Sequence, residues 1–492
     1  MTDIRPAEHF DVLIVGAGIS GIDAAYHLKT RCPGRTWLIL EAREAIGGTW
    51  DLFRYPGIRS DSDMYTLGFP FRPWRGDKAI ADGAAIRDYV EETARFFGID
   101  RQIRFSHRVT KASWSSADAL WTVEVETEGE SRVLTCGFLF LCSGYYDYAQ
   151  GYRPQWPGEE DFGGRIVHPQ AWPEDLDVSG RRVVVIGSGA TAVTLVPALA
   201  EQASHVVMLQ RSPSYIVSRP SRDSIAHWLH RRLPPKLADR LIRWKNVLLG
   251  IFFFNRARKQ PAKVKAAILK LAAESLPSDF DVERHLSPHY DPWDQRLCLV
   301  PDNDLFEAIS AGKVSMVTGP IDRFKADGIL LQSGEEVSAD IVVTATGLNV
   351  KLLGGISLVV DDEAVNVADR FSYKGMMLND VPNLVLSFGY TNASWTLKCD
   401  LTSRYVCRLL NHMQRFGYDV CVPRLPANKL DRQPMLDFSS GYVARAREAL
   451  PAQGPVPPWR VHQNYLRDLL SLRFRAVTDE AMEFGKGQNG AG

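Results

Sequence analysis

Two segments of this chain run strand, glycine loop, helix. A chain holding two such units is committed to two parallel α/β folds, each shaped around a dinucleotide. In the first, the apolar run Asp11–Val15 stops at Gly16-Ala17-Gly18-Ile19-Ser20-Gly21 and continues into a helical pattern. Gly16 permits the tight turn, Gly18 lets backbone approach a pyrophosphate, and Gly21 lets helix pack on strand; Ser20 lies with them at a helix N-terminus that attracts negative charge. Twenty residues past Gly21, the run Trp37–Leu40 ends in Glu41, placed to accept ribose hydroxyls. The second unit is Arg182–Ile186 followed by Gly187-Ser188-Gly189-Ala190-Thr191-Ala192. Its second strand, His205–Leu209, ends in Gln210-Arg211-Ser212, so the acid that would grip a bare 2′-hydroxyl is missing and a guanidinium stands beside its place. An Arg forks onto a phosphate, where a carboxylate would repel one. The first unit therefore reads as an FAD site and the second as an NADPH site.

Between the loops, Phe162-Gly163-Gly164-Arg165-Ile166-Val167-His168-Pro169-Gln170-Ala171-Trp172-Pro173 fills every fixed position of FxGxxxHxxxWP. Gly47-Gly48-Thr49-Trp50, then Arg54-Tyr55-Pro56-Gly57 and Asp61, fills GGxWxxxxYPGxxxD. Both patterns resemble the fingerprints of the Baeyer-Villiger monooxygenases, and Trp172 favours the ketone-oxidising branch over the N- and S-oxidising flavin monooxygenases. The likeness extends through Pro292–Pro301 and Tyr390–Lys398 to nearly the whole chain. It implies that the segment with Gly48, Thr49, Trp50 and Asp61 wraps the flavin ring, that Val109 is a further FAD contact, and that Arg296 is catalytic with Asp61 as its support. A permanently cationic guanidinium would stabilise a flavin peroxide anion and the oxyanion formed when it attacks a carbonyl. Some relatives carry Lys before that Arg; Gln295 stands here and leaves the phosphate to Arg211. Phe162, Gly164, His168 and Trp172 read as an interdomain hinge, with His168 orienting cofactor or serving structure alone.

The resemblance also sets the fold: α/β, with two Rossmann-like dinucleotide-binding domains. Strands ending in small-residue turns, Cys136–Tyr145 and Ala339–Gly347, mark the crossings between them. The FAD domain is expected at 1–147 and 344–492, and the NADP domain at 148–343 with a helical insertion at about 220–290. Pocket-lining residues are expected from loops and from that insertion.

Composition excludes several other classes. Acidic and basic residues balance at 58 each, so no global field draws the chain to nucleic acid. Seven cysteines without a CxxC pair read as reduced thiols and give no metal centre. Neither a leader nor an apolar run of about 18 residues is evident, and a cytoplasmic enzyme is expected. Residues 219–270 depart from this neutrality, with fourteen Lys or Arg against Asp223 and Asp239 around the run Val247–Phe254. That segment reads either as a solvated helical cover for the substrate cavity or as a basic apolar surface touching anionic membrane. The function expected is oxygen insertion beside a ketone carbonyl, with molecular oxygen as co-substrate, extending to sulfides or thioamides. Oxidation confined to N or S, and a non-catalytic flavin-binding sensor, stand as alternatives. The chain leaves the oligomeric state open.

Overall fold

The computed structural model describes residues 7–487 except 429, 437 and 439. β1 (Glu8–Val15) leads through α1 (Ile19–Arg31) to β2 (Trp37–Leu40), beyond which lies the short β3 (Ile103–Arg104). β4 (Arg108–Ser115), β5 (Leu120–Thr127) and β6 (Glu130–Leu141) form an antiparallel meander, and the end of β6 pairs in parallel with β1, Leu141 opposite Val15. Val12, Ile14, Phe138 and Phe140 pack under α1, whereas Leu13, Leu139, Trp114 and Trp121 fill the opposite face beneath the meander. Burial on both faces explains why Val12–Val15 of β1 is a continuous apolar run rather than an alternating one.

β7 (Tyr146–Gly151) carries the chain across to the second unit. There β8 (Arg165–Val167), β9 (Arg182–Ile186), α2 (Ala190–Leu199) and β10 (His205–Gln210) begin a second parallel sheet. Val183, Val184 and Val185 are fully buried, each worth about 1.5–3 kcal/mol relative to exposure. β11 (Ile216–Arg219) leads into three longer helices, α3 (Ser224–Arg232), α4 (Pro235–Lys259) and α5 (Pro261–Glu274), then a short helix at Val282–Leu286, and β12 (Cys298–Pro301) returns to pair with β11. β13 (Val314–Thr318) and β14 (Ile341–Thr344) complete the sheet in the order β13-β10-β9-β14-β8.

β15 (Leu348–Val350) runs back antiparallel to β7, so two adjacent strands join the units. β16 (Ser357–Val360), β17 (Glu363–Ala364) and β18 (Leu384–Leu386) then extend the first sheet, giving the order β17-β16-β4-β5-β6-β1-β2-β3 with β18 also beside β6. The long helix α6 (Trp395–Phe416) packs along α1 and stops at Gly417, whose φ of 67° ends the helix without Cβ strain. Among the described residues no helix is long and apolar enough to cross a membrane.

Candidate active site

The first glycine loop is shaped by contacts that admit no side chain. Gly16 has φ +106°, and a Cβ there would meet the Cys142 carbonyl oxygen at 2.6 Å; one on Gly21 would meet the Gly16 oxygen at 1.9 Å. Gly18 differs, since its nearest neighbour would be Gly48 Cα at 3.5 Å. The second strip, Gly47 to Trp50, lies against this loop, and Thr49 Oγ1 is 3.3 Å from the Tyr148 hydroxyl. No side chain caps α1, and its first turn carries no acid. An open helix N-terminus between two glycine-lined strips fits a pyrophosphate, and with it FAD.

Glu41 is buried at the end of β2 and accepts from Ala17 N at 2.6 Å and Arg43 N at 2.9 Å. Burial pushes its carboxyl upward against those two hydrogen bonds. His107 N donates to the Glu41 carbonyl, bringing the segment before the buried Val109 alongside β2. Ser20 faces the protein: its hydroxyl meets Trp395 Nε1 at 2.8 Å and Cys399 Sγ at 3.3 Å.

The second loop repeats the turn, with Gly187 at φ +144° and a would-be Cβ 2.3 Å from the Ala345 oxygen. Gly189 and Ala190 are exposed, α2 has no side-chain cap or first-turn acid, and Ser188 Oγ meets Ser214 Oγ at 2.9 Å. Arg211 and Ser212 are exposed, and the Arg211 guanidinium has no acidic partner among the described residues. A free cation beside an open helix N-terminus fits a phosphorylated nicotinamide dinucleotide. Gln210, by contrast, is buried, its amide donating to the His285 carbonyl at 2.7 Å and to Thr318 Oγ1 at 2.9 Å.

The segment from Phe53 to Arg59 ties the units together. Phe53 and Tyr55 pack in the second unit's core, and a Cβ on Gly57 would strike Ala198 Cβ and the Thr194 carbonyl oxygen, both at 2.8 Å. Arg59 pairs with Asp304. This packing delivers Asp61 to Arg296, with Asp61 Oδ2 3.0 Å from Arg296 Nη1 and the side chains 31% and 33% exposed. Arg296 sits two residues before β12, directly after the bridged turn Pro292–Gln295. Burial is the largest influence and works against its charge, but the Asp61 carboxylate, together with Tyr145, Tyr442 and Tyr146, holds the guanidinium above its ordinary pKa. Its Nε is buried with no hydrogen-bond partner.

Arg296 stands in the wall of a narrow cleft with Tyr145, Phe388, Tyr390, Trp395 and Tyr442. Tyr145 stacks on Trp395 with centroids 5.2 Å apart, and its hydroxyl lies 2.6 Å from that of Tyr146. Burial holds both phenols well above their usual range, so they are neutral and donate hydrogen bonds. The far wall is Leu436, Val443 and Leu450. No residue of the helices α3–α5 lines this cleft, which corrects the expectation from sequence: Val247 of α4 reaches only the back of Tyr390.

His168 lies at the crossing of β7 and β15. Its ring presses on Gly151, where a Cβ would come within 2.0 Å, and Nδ1 accepts from Gln170 N at 3.2 Å. Burial lowers its pKa and keeps it neutral. Phe162 meets Phe324 edge-on, Gly164 leaves no room for a side chain against the Asp340 oxygen and Phe162, and Trp172 packs on the second core.

Residues 74–241 match the family described as flavin-binding monooxygenase-like, and residues 14–75 match the NAD(P)-binding Rossmann-like domain. The chain is 56% identical to the FAD-containing monooxygenase EthA of Mycobacterium tuberculosis (strain ATCC 25618 / H37Rv), over 97% of this chain and 98% of that protein. Its fold is shared with an oxidized steroid monooxygenase bound to NADP (TM-score 0.75, 21% identity, 97% of this chain and 100% of that one). It is shared also with a polycyclic ketone monooxygenase from Thermothelomyces thermophila (TM-score 0.78, 17% identity, 99% and 91%).

Proposed function

We propose, from the premise that this chain belongs to the FAD-containing flavin monooxygenases, that it is a Baeyer-Villiger enzyme turning ketones into esters or lactones and also oxidising sulfides or thioamides. The observation that carries this reading is Arg296: anchored by Asp61, it has an unpartnered buried Nε–H and stands in the wall of an aromatic cleft. When bound, FAD reduced by NADPH supplies the activated oxygen. The chain's own residues do the rest. Gly16, Gly18, Gly21 and Glu41 hold the FAD pyrophosphate and ribose, with Ser20 and Val109 behind them, and Gly48, Thr49 and Trp50 flank the ring. Gly187, Ser188, Gly189, Ala190 and Thr191 cradle the second pyrophosphate, Arg211 and Ser212 take the 2′-phosphate, and Gln210 braces β10 beneath them. In the cleft Arg296 donates to the substrate carbonyl oxygen and stabilises the negative charge that develops there, while the ring wall excludes water. Asp61 fixes the guanidinium's direction.

We also assign the two domains as 1–147 with 344–492, and 148–343, with Phe162, Gly164, His168 and Trp172 at the joint between them. The enzyme works in the cytoplasm. A panel of cyclic, aryl and long-chain ketones beside matched sulfides tests the reading, scored for oxygenated product and for hydrogen peroxide. Ester formed in step with NADPH consumption supports it. Sulfoxide without ester from any ketone refutes it.

A further inference from the structure

The helices between β11 and β12 have one face anchored and one face free. On the inner side Ala226, Ala238 and Ile242 pack with Tyr65 and Ala79, and Val247 packs with Tyr390 and Leu397. The outer side of α4 shows Leu237 45%, Leu241 42%, Leu248 50% and Phe252 56% exposed. Spacings of four, seven and four residues put these four side chains on one stripe of the helix, about 22 Å long at 1.5 Å per residue. Of the 15 large apolar side chains exposed on the described surface, nine lie within residues 224–274, so the exposure is concentrated rather than scattered. A patch of this kind marks a contact surface.

Charge selects the partner. The same helices hold Arg231, Arg232, Lys236, Arg240, Arg256 and Lys259, none with an acidic partner among the described residues. Fourteen Lys or Arg against two acids over residues 219–270 would set strong repulsion against a second copy docked on the same face. A surface of exposed Leu and Phe with unpaired cations around it matches an anionic bilayer, which takes apolar side chains at the acyl boundary and cations at the headgroups.

We propose that the outer face of α4 lies along an anionic bilayer and that hydrocarbon-rich substrates enter the cleft from that side. The entry route rests on the monooxygenase reading; the surface does not. Tyr390 joins the two, because it packs against Val247 of α4 and also lines the cleft beside Arg296. One layer of side chains therefore separates the membrane-facing helix from the site.

Vesicle co-sedimentation of the FAD-loaded full chain tests the surface. Phosphatidylcholine vesicles with one-third phosphatidylglycerol should bind it, pure phosphatidylcholine only weakly, and added salt should weaken the binding. The variant Arg240→Gln/Arg256→Gln/Lys259→Gln should lose about fivefold in affinity per cation removed, and Leu241→Ser/Leu248→Ser/Phe252→Ser about tenfold or more. Both should keep full FAD content and unchanged turnover of a small water-soluble substrate. Turnover of a long-alkyl ketone supplied in anionic vesicles should fall in parallel with binding. Absence of binding to anionic vesicles, or equal binding by both variants and the parent, overturns the surface. So does a dimer in light scattering that the apolar variant dissociates while vesicle binding stays unchanged. Vesicle binding without oxidation of any ketone or sulfide upholds the surface and overturns the entry route.

Discussion

Replacing Arg296 by Ala removes the one guanidinium, among the described residues, that stands in the cleft wall with an unused N–H. Loss of a donor aimed at developing charge costs about 2.7–4 kcal/mol, or ~100- to 1000-fold in rate. Asp61 acts at one remove. Its bond to Arg296 is 3.0 Å long with both side chains about one-third exposed, so the pair falls between a surface ion pair and a buried one. Asp61→Ala should therefore cost about 1–2 kcal/mol, or about 5- to 30-fold. Arg296→Lys keeps charge but loses the planar fork and should lie between the two. Ester yield by gas chromatography gives the rates, and stopped-flow bleaching of the flavin by NADPH gives the step before oxygen enters. Arg296→Ala should be reduced by NADPH yet form almost no ester. Near-normal ester formation refutes the assignment, and failure at flavin reduction moves Arg296 to positioning the nicotinamide.

Three further outcomes follow from the geometry. Arg211→Ala should raise KM for NADPH by about 10- to 100-fold, the worth of a charged hydrogen bond, and KM for NADH far less; equal losses in steady-state kinetics would remove Arg211 from the phosphate site. Gly21→Ala should fail to bind FAD or to fold, because its Cβ would lie 1.9 Å from the Gly16 oxygen, whereas Gly18→Ala has room in the protein and should fold while losing FAD affinity in fluorescence titration. Burial in α1, beside Asp400 and without a hydrogen-bond partner, raises the Asp23 carboxyl to about 7 despite His27. Because that folded value exceeds the unfolded one, the stabilising neutral form is lost as pH rises from about 4 through about 7. Asp23→Asn should accordingly gain stability at pH 8, by at most on the order of 4 kcal/mol, and little at pH 4; denaturant melts with equal gains at both pH values would show that Asp23 does not titrate in this range.

Glycine positions were the most legible part of the chain, because steric rules act locally. Gly16, Gly21 and Gly187 sit where a Cβ would collide with backbone, as the strand-loop-helix order requires. Side-chain direction was less legible. Gln210 and Arg211 are neighbours at one strand end, yet Gln210 turns inward to His285 and Thr318 while Arg211 faces solvent, and nothing in their order tells which points where. Ser20 likewise belongs to the loop by sequence but bonds Trp395, a residue 375 positions away. The cleft was the least legible element. Tyr145, Arg296, Trp395 and Tyr442 come from four distant segments, and only tertiary packing brings them together. The apolar run in α4 suggested a cavity cover, but the helix presents Val247 to the back of Tyr390 and turns Leu248 and Phe252 outward.

The central claim is that one atom of molecular oxygen enters the substrate beside its carbonyl under the control of Arg296. Turnover of a cyclic ketone under ¹⁸O₂, read by mass spectrometry of the product, tests this most directly. The account predicts a lactone carrying one ¹⁸O per NADPH consumed in the parent enzyme, and hydrogen peroxide with almost no lactone in Arg296→Ala. Lactone without label, or equal labelled lactone from both proteins, would contradict it.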